Sequence, residues 1–167
     1  MYDRLTASDI EKMEKEIEYR KLELRKELIQ HVKDARAQGD LSENFEYYAA
    51  KKEKNKNESR IRFLERMIKT AQVIDDSSRD DEVGMNDRVQ VYIEEDDLTE
   101  EYRIVTTVRA NSLKRLISIE SPLGKALIGK HVGDRVEVQV NSSYSYFVTI
   151  KKIEKITDDS EDRIRSF

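Results

Sequence analysis

The chain has 167 residues, of which 40% are charged and 37% hydrophobic, and its formal net charge is −4 at pH 7. This length allows one ordinary domain or two small ones, and so low an apolar content favours long exposed helices over one thick core. The absence of cysteine excludes disulfides, thiolate metal sites and cysteine nucleophiles. Because the sequence has neither an apolar run of membrane-spanning length nor a signal-peptide pattern at its start, we expect a cytoplasmic protein without a membrane span.

Residues 1–74 predict a helical hairpin. Apolar residues recur at steps of three, four or seven through 10–35, which is the helical period, and a second periodic stretch follows within 45–71. Two helices of about 30 residues joined by a short turn run antiparallel, and each is about 45 Å long at 1.5 Å per residue. We therefore expect a projecting coiled coil. Its seam should be weak at 51–60, a stretch without any apolar residue.

The predicted turn at 38–46, which we call the acidic tip, is the most informative segment. Gly39 can end the first helix, and Asp40 or Ser42 can begin the second. Asp40 and Glu43 have the spacing of a capping box, so they can serve the helix alone. The alternative is that these carboxylates bind Mg²⁺, which prefers oxygen ligands. Two acids make only part of a metal site, so another molecule would have to complete it.

The charge changes at an acidic segment, 75–83, which reads as a linker. Residues 1–74 hold 17 basic and 15 acidic side chains, a balance of +2, whereas 75–167 hold 14 and 20, a balance of −6. Such an acidic half argues against direct binding to duplex nucleic acid.

Beyond the linker the apolar period changes to two, as in 88–93 and 135–140, which is typical of strands. The segment 121–129 begins with serine and proline and ends with glycine, which predicts one short helix. We therefore expect a small antiparallel sheet with one short helix over 84–156, and a disordered tail at 157–167. The fold class predicted for the whole chain is α+β.

Two motifs resemble those of a known family. The stretch from Ala35 to Lys51 (ARAQGDLSENFEYYAAK) closely resembles the tip motif of the bacterial transcript cleavage factors GreA and GreB, with GreA the nearer of the two. The stretch from Ser121 to Lys130 (SPLGKALIGK) resembles the second signature of that family. The likeness runs from about Leu5 to Ile156, in one order and with the family's spacing.

The resemblance implies a division of labour between the two halves. It gives 84–156 an FKBP-like fold that docks at the rim of the secondary channel of RNA polymerase, while the hairpin enters the channel. Asp40 and Glu43 match the tip acids that assist the polymerase's second Mg²⁺, a shared ion that this chain does not bind tightly alone. Five further motif positions become candidates for contact with RNA or polymerase: Arg36, Asn44, Glu46, Tyr47 and Lys51.

We therefore expect a monomeric transcription elongation factor, not itself an enzyme, that stimulates cleavage of backtracked RNA by the polymerase. Its partners would be RNA polymerase and the 3′ end of the nascent RNA. Three alternatives remain at this point. They are a channel-binding inhibitor of the same shape, an FKBP-like prolyl isomerase inferred from fold alone, and a coiled-coil adaptor that would leave the tip motif unexplained.

Two loops of the second half depart from the family pattern. The family usually has an acidic loop after the second strand, where this chain has a basic one at 109–115. The family also closes its last hairpin with a Pro-Gly-Gly-like turn, where this chain has 141–144. Both departures lie in the docking domain and leave the tip unchanged.

Overall fold

A computed structural model describes residues 4–39 and 43–166. The chain forms two compact units, one of them Ile10–Ala71 and the other composed of described residues on both sides of it. The first unit is helical and the second is built on a sheet, which confirms the α+β class. The helical unit is therefore shorter than the predicted hairpin, 1–74. The short strands β1 (Arg4–Leu5) and β2 (Gln72–Val73) pair with each other in parallel and belong to the second unit.

The helical unit is an antiparallel hairpin. Its first arm consists of α1 (Ala7–Tyr19), a π-helical turn (Arg20–Leu24) and α2 (Arg25–Arg36), and its second arm is α3 (Phe45–Lys69). The backbone stays helical across both junctions of the first arm, so that arm is continuous. No helix in the described parts of the chain is long and apolar enough to cross a membrane.

The middle of the seam is held by polar groups, where the sequence predicts only weakness. Arg60 binds Glu16 through two bonds, Nε–Oε2 at 2.8 Å and Nη2–Oε1 at 3.2 Å. Arg20 donates both to Glu16 at 2.8 Å and to Oδ1 of the buried Asn57 at 2.9 Å. Burial alone would raise the pKa of Glu16, but the hydrogen bonds from Arg60 and Arg20 outweigh it and lower that pKa. The network therefore keeps a carboxylate charged inside the hairpin.

The second unit contains a five-stranded sheet in the order β5-β4-β3-β7-β6. β3 pairs antiparallel with β4 and β7, and β6 pairs antiparallel with β7. β5 pairs in parallel with β4, so the expectation of a wholly antiparallel sheet is wrong at this edge. The strands are β3 (Arg88–Ile93), β4 (Leu98–Val105), β5 (Leu116–Ser118), β6 (Arg135–Gln139) and β7 (Ser145–Glu154).

One face of this sheet forms the core. Alternate residues of β3 and β6 are buried, as the period of two predicts. The helix α4 (Pro122–Leu127) covers that face, and Ser121 caps it by accepting a hydrogen bond from Gly124 N at 3.1 Å. A Cβ atom at Gly124 would lie 2.1 Å from the carbonyl oxygen of Ser118, so only glycine fits there. The buried cluster comprises Val83, Val89, Val91, Ile93, Ile104, Ile119, Leu123, Leu127, Val136, Val138, Val148 and Ile150.

The segment 75–83 is attached to the sheet unit and is not a free linker. Val83 is 1% exposed and belongs to the core. The Lys155 ammonium donates to Ser78 Oγ at 2.9 Å and to the carboxylate of the buried Asp87 at 2.7 Å. Lys155 also donates to the carbonyl oxygen of Glu82 at 2.7 Å, so the segment is fastened at Ser78 and Glu82 to the residue that directly follows β7.

The tail also differs from the disorder predicted for 157–167, because its described residues make specific contacts. Asp162 accepts hydrogen bonds from Arg103 Nη1 at 2.7 Å and from Arg109 Nη1 at 2.8 Å. Arg109 is fully buried, and its Nε lies 2.6 Å from Oδ1 of Asp9, which is also fully buried. Arg109 thus joins the tail to the first turn of α1 within the second unit.

Replacing Arg109 with methionine is expected to destabilise the protein by about 3–5 kcal/mol, because Asp9 would keep a buried charge without its partner. The matched control is Arg88→Met, which removes a partly exposed arginine paired with Glu101 and Glu154 and should cost under about 1 kcal/mol. Urea unfolding followed by near-ultraviolet dichroism measures both changes. Equal losses of unfolding free energy in the two variants would show that Arg109 does not neutralise a buried Asp9 charge.

Candidate functional site

Asn44 links the two arms of the hairpin at the tip. It is the N-cap of α3, and its side-chain oxygen accepts a hydrogen bond from Tyr47 N at 3.0 Å. Its amide nitrogen donates to the carbonyl oxygen of Ala35, in the last turn of α2, at 2.6 Å. One side chain therefore pairs an amide of the first turn of α3 and adds a second hydrogen bond to a carbonyl in the last turn of α2, which also accepts from Gln38 N.

The start of α3 changes the interpretation of the tip acids. The sequence allows Asp40 or Ser42 to begin the helix, but the helix begins at Phe45 after its cap. Asp40 and Ser42 lie outside the described residues. Glu43 precedes the cap, is exposed, and makes no hydrogen bond or ion pair with any residue in the described parts of the chain. Its carboxylate therefore makes no capping bond to α3, and no described residue occupies its oxygens.

Tyr47, by contrast, is a structural residue of the tip. Its side chain is largely buried, and its hydroxyl accepts a hydrogen bond from Arg36 Nη2 at 3.4 Å. The Arg36 guanidinium also lies 5.5 Å from the centre of the Tyr47 ring. The hydrogen bond from Arg36, aided by the nearby charge of Lys51, lowers the pKa of the Tyr47 hydroxyl. Arg36 is thus engaged in holding the end of the hairpin closed.

The remaining predicted tip residues, Glu46 and Lys51, are exposed on α3. Two exposed aromatic residues lie beside them. Phe45 is 84% exposed and Tyr48 is 52% exposed, whereas the sequence pattern places both in the apolar seam. Asn44 fixes the residue at which α3 begins and so sets the orientation of its first turn. In that orientation Tyr47 is buried, and Phe45 and Tyr48 are left exposed. No signal in the sequence separates these adjacent aromatic residues.

The tip contains carboxylates that could bind a metal ion, but its described residues do not make a complete metal site. In the described parts of the chain, no group of three or more His, Cys, Asp or Glu side chains could hold a metal ion. The exposed Glu43 carboxylate fits Mg²⁺, which binds through one or two carboxylates and leaves other positions to water or phosphate. Asp40 has the same chemistry three residues earlier in the sequence.

Asn44→Ala is expected to lower the melting temperature of the helical unit, since the loss of an N-cap costs about 1–2 kcal/mol. Glu46→Gln is the control, because it leaves the cap intact. Thermal unfolding followed at 222 nm compares them. If Asn44→Ala melts like Glu46→Gln, Asn44 does not hold the two arms together.

Two known family models match this chain, one in each half. A model described as the N-terminal domain of transcription elongation factors matches residues 4–73, and a model of the GreA/GreB C-terminal domain matches residues 78–155. These matches identify a transcription elongation factor of two parts. The chain belongs to the GreA/GreB family.

Two relatives found by sequence, both transcription elongation factors named GreA, agree with this assignment. Transcription elongation factor GreA of Thermoanaerobacter pseudethanolicus is 47% identical over 137 residues, which cover 81% of this chain and 87% of the relative. GreA of a Thermotoga species is 38% identical over 152 residues, which cover 91% and 97%. Among solved structures, GreA factor homolog 1 of Thermus thermophilus is 24% identical with a TM-score of 0.41, covering 91% of this chain and 98% of that one.

Proposed function

We propose that this protein enters the secondary channel of RNA polymerase and stimulates the polymerase's own Mg²⁺-dependent cleavage of backtracked RNA. The observation that carries the proposal is the state of Glu43. This carboxylate is exposed just before the N-cap of α3, at the end of a long hairpin, and makes no hydrogen bond or ion pair with the described residues. Membership of the GreA/GreB family supports the same assignment.

The chemistry that the tip would assist is phosphodiester hydrolysis. A pair of Mg²⁺ ions about 4 Å apart can clamp the attacking and leaving oxygens of such a reaction. A polymerase that extends RNA holds its second ion largely through the phosphates of the incoming nucleotide, and a backtracked complex has no such nucleotide. Asp40 and Glu43 would supply the missing oxygen ligands and orient a water. In this proposal the protein is a monomeric co-catalyst, without hydrolase activity alone.

The other tip residues have supporting roles in the proposal. Asn44, Arg36 and Tyr47 fix the shape of the tip through the contacts described above. Glu46 and Lys51 are exposed and can face the channel wall or the 3′ end of the RNA. An exposed lysine neutralises phosphate charge without a fixed geometry.

A transcript cleavage assay on a stalled elongation complex tests the proposal. RNA labelled at its 5′ end should be shortened faster in the presence of this protein, and subsequent addition of nucleotides should restart elongation. The protein incubated with free RNA and Mg²⁺ should release nothing. If elongation slows without any shortening of the RNA, the protein acts as an inhibitor in the channel and the proposal is wrong.

A further inference from the structure

The sheet unit contains a basic cavity that the proposed function does not use. Its volume is about 420 Å³. It lies between β4, the segment that follows β4 and the tail, so it belongs entirely to the second unit. Three acidic side chains, Glu101, Glu161 and Asp162, line it. Six basic side chains line it as well: Arg88, Arg103, Arg109, Lys114, Arg115 and Arg163.

This excess of positive charge is unusual for its surroundings. The half of the chain from residue 75 onward carries a balance of −6, yet the side chains around the cavity carry a balance of +3. A concave basic surface in an acidic domain focuses the field and attracts small anions. Three of the six basic residues come from 109–115, the loop that departs from the acidic loop usual in the family.

Two of the cavity's arginines have hydrogen-bonding capacity left over. Arg103 and Arg109 both donate through Nη1 to Asp162. Nη2 of each is buried and finds no hydrogen-bond acceptor in the described parts of the chain. A buried donor without an acceptor costs about 1–3 kcal/mol, so an additional oxygen beside these groups would be favourable.

Two further basic residues are exposed and available. Lys114 and Arg163 lie on different segments of the cavity wall, and neither forms an ion pair with any described residue. The planar carboxylate of Asp162 already accepts hydrogen bonds from Nη1 of Arg103 and Nη1 of Arg109. Donors that approach from several directions suit an anion with three or more oxygens, and phosphate has this form. The volume exceeds what one phosphate group fills and lies in the range of small-molecule sites.

We propose that this cavity binds a phosphate-bearing small molecule. The inner oxygens of the phosphate would accept from Arg103 and Arg109, and Lys114 and Arg163 would hold the outer oxygens. Such a ligand would also fasten the tail, because Asp162 and Arg163 both belong to it. The site is independent of the tip acids and of transcript cleavage.

The test is isothermal titration of the full-length protein with inorganic pyrophosphate, in a buffer containing EDTA and at constant ionic strength. The variants are Lys114→Gln and Arg163→Gln, which leave the buried Arg109 network intact. Each should weaken pyrophosphate binding about tenfold, the effect of losing one charged hydrogen bond. Glu161→Gln removes a negative charge from the cavity and should strengthen binding. Lys152→Gln, an exposed substitution on β7 away from the cavity, should have no effect.

Adenosine triphosphate is titrated in parallel to distinguish an organic phosphate from a free one. Tighter binding of the nucleotide indicates that the rest of the cavity holds an organic group, and equal binding indicates a site for free phosphate. The proposal is overturned if neither compound binds, or if Lys114→Gln and Arg163→Gln bind pyrophosphate as the wild type does. Amide shifts in the nuclear magnetic resonance spectrum should be confined to 101–103, 109–116 and 161–163, and shifts at the hairpin tip instead would also contradict the proposal.

Discussion

Replacing Glu43 with glutamine is expected to reduce stimulated transcript cleavage on the order of 100-fold, because an amide keeps the size of the side chain but loses the charge that binds Mg²⁺. Binding to the polymerase should be nearly unchanged, since the proposal assigns docking to 84–156 and Glu43 makes no hydrogen bond or ion pair with the described residues. Asp40→Asn should have the same effect. Cleavage rates on a backtracked complex, measured at saturating factor, separate catalysis from binding.

Glu46→Gln is the matched control for this prediction. Glu46 is also exposed and acidic and lies three residues from Glu43, in the first turn of α3. It should retain most of the cleavage activity, because the metal assignment rests on Asp40 and Glu43 alone. Raising the Mg²⁺ concentration should partly restore Glu43→Gln, since weaker binding can be offset by mass action. An active Glu43→Gln protein at low Mg²⁺ would refute the ligand assignment.

Shortening both arms of the hairpin by seven residues is expected to abolish stimulated cleavage while Asp40 and Glu43 stay unaltered. Seven residues make two turns of a coiled coil, so the seam keeps its register and the reach falls by about 10 Å. Mg²⁺–oxygen distances lie near 2.1 Å with little tolerance, so side-chain motion cannot restore such a loss.

The structure indicates which segments to remove. Arg25 binds Glu58 through two hydrogen bonds of 2.7 and 2.8 Å, so residues 21–27 lie opposite 56–62 in the antiparallel hairpin. Deleting these two segments together removes both partners of that pair. The control replaces the same segments with another helical heptad on each arm, which preserves length. Circular dichroism should show equal helicity, and only the shortened protein should be inactive. Activity in the shortened protein would mean that reach is not the purpose of the long arms.

The periods in the sequence are sufficient to predict both halves of the fold. Steps of three and four residues give the hairpin, and alternation gives strands such as β3 and β6. Ser121 and Pro122 predict the short helix α4, which the structure contains with that cap. These signals are local, since they depend only on residues that are neighbours in the sequence.

Contacts between distant segments could not be predicted in this way. β1 pairs with β2, although the hairpin sequence separates them. Asp9 forms an ion pair with Arg109, which lies one hundred residues later in the chain. An arginine in a polar loop is ordinarily solvated, so nothing in its immediate sequence indicates that Arg109 is buried. The same holds for Asp162, which a short acidic tail presents to two arginines.

The tip was predictable as a motif but not in its geometry. Asp40, Ser42 and Asn44 are all good N-cap residues, so spacing alone cannot decide which of them begins α3. Asn44 has an advantage that the sequence does not reveal, because its amide also reaches the carbonyl of Ala35 on the other arm. That second bond fixes the start of the helix and leaves Glu43 outside it.

The most direct test of the proposed mechanism is a proximity measurement inside the complex. Fe²⁺ replaces Mg²⁺ at the polymerase active site in a backtracked complex with this protein bound, and hydroxyl radicals generated there cut nearby peptide bonds. Cuts are expected in the protein within 38–46, and they should disappear when excess Mg²⁺ displaces the iron. Cuts confined to 84–156, or no cuts in a complex that still contains the protein, would contradict delivery of Asp40 and Glu43 to the catalytic metal.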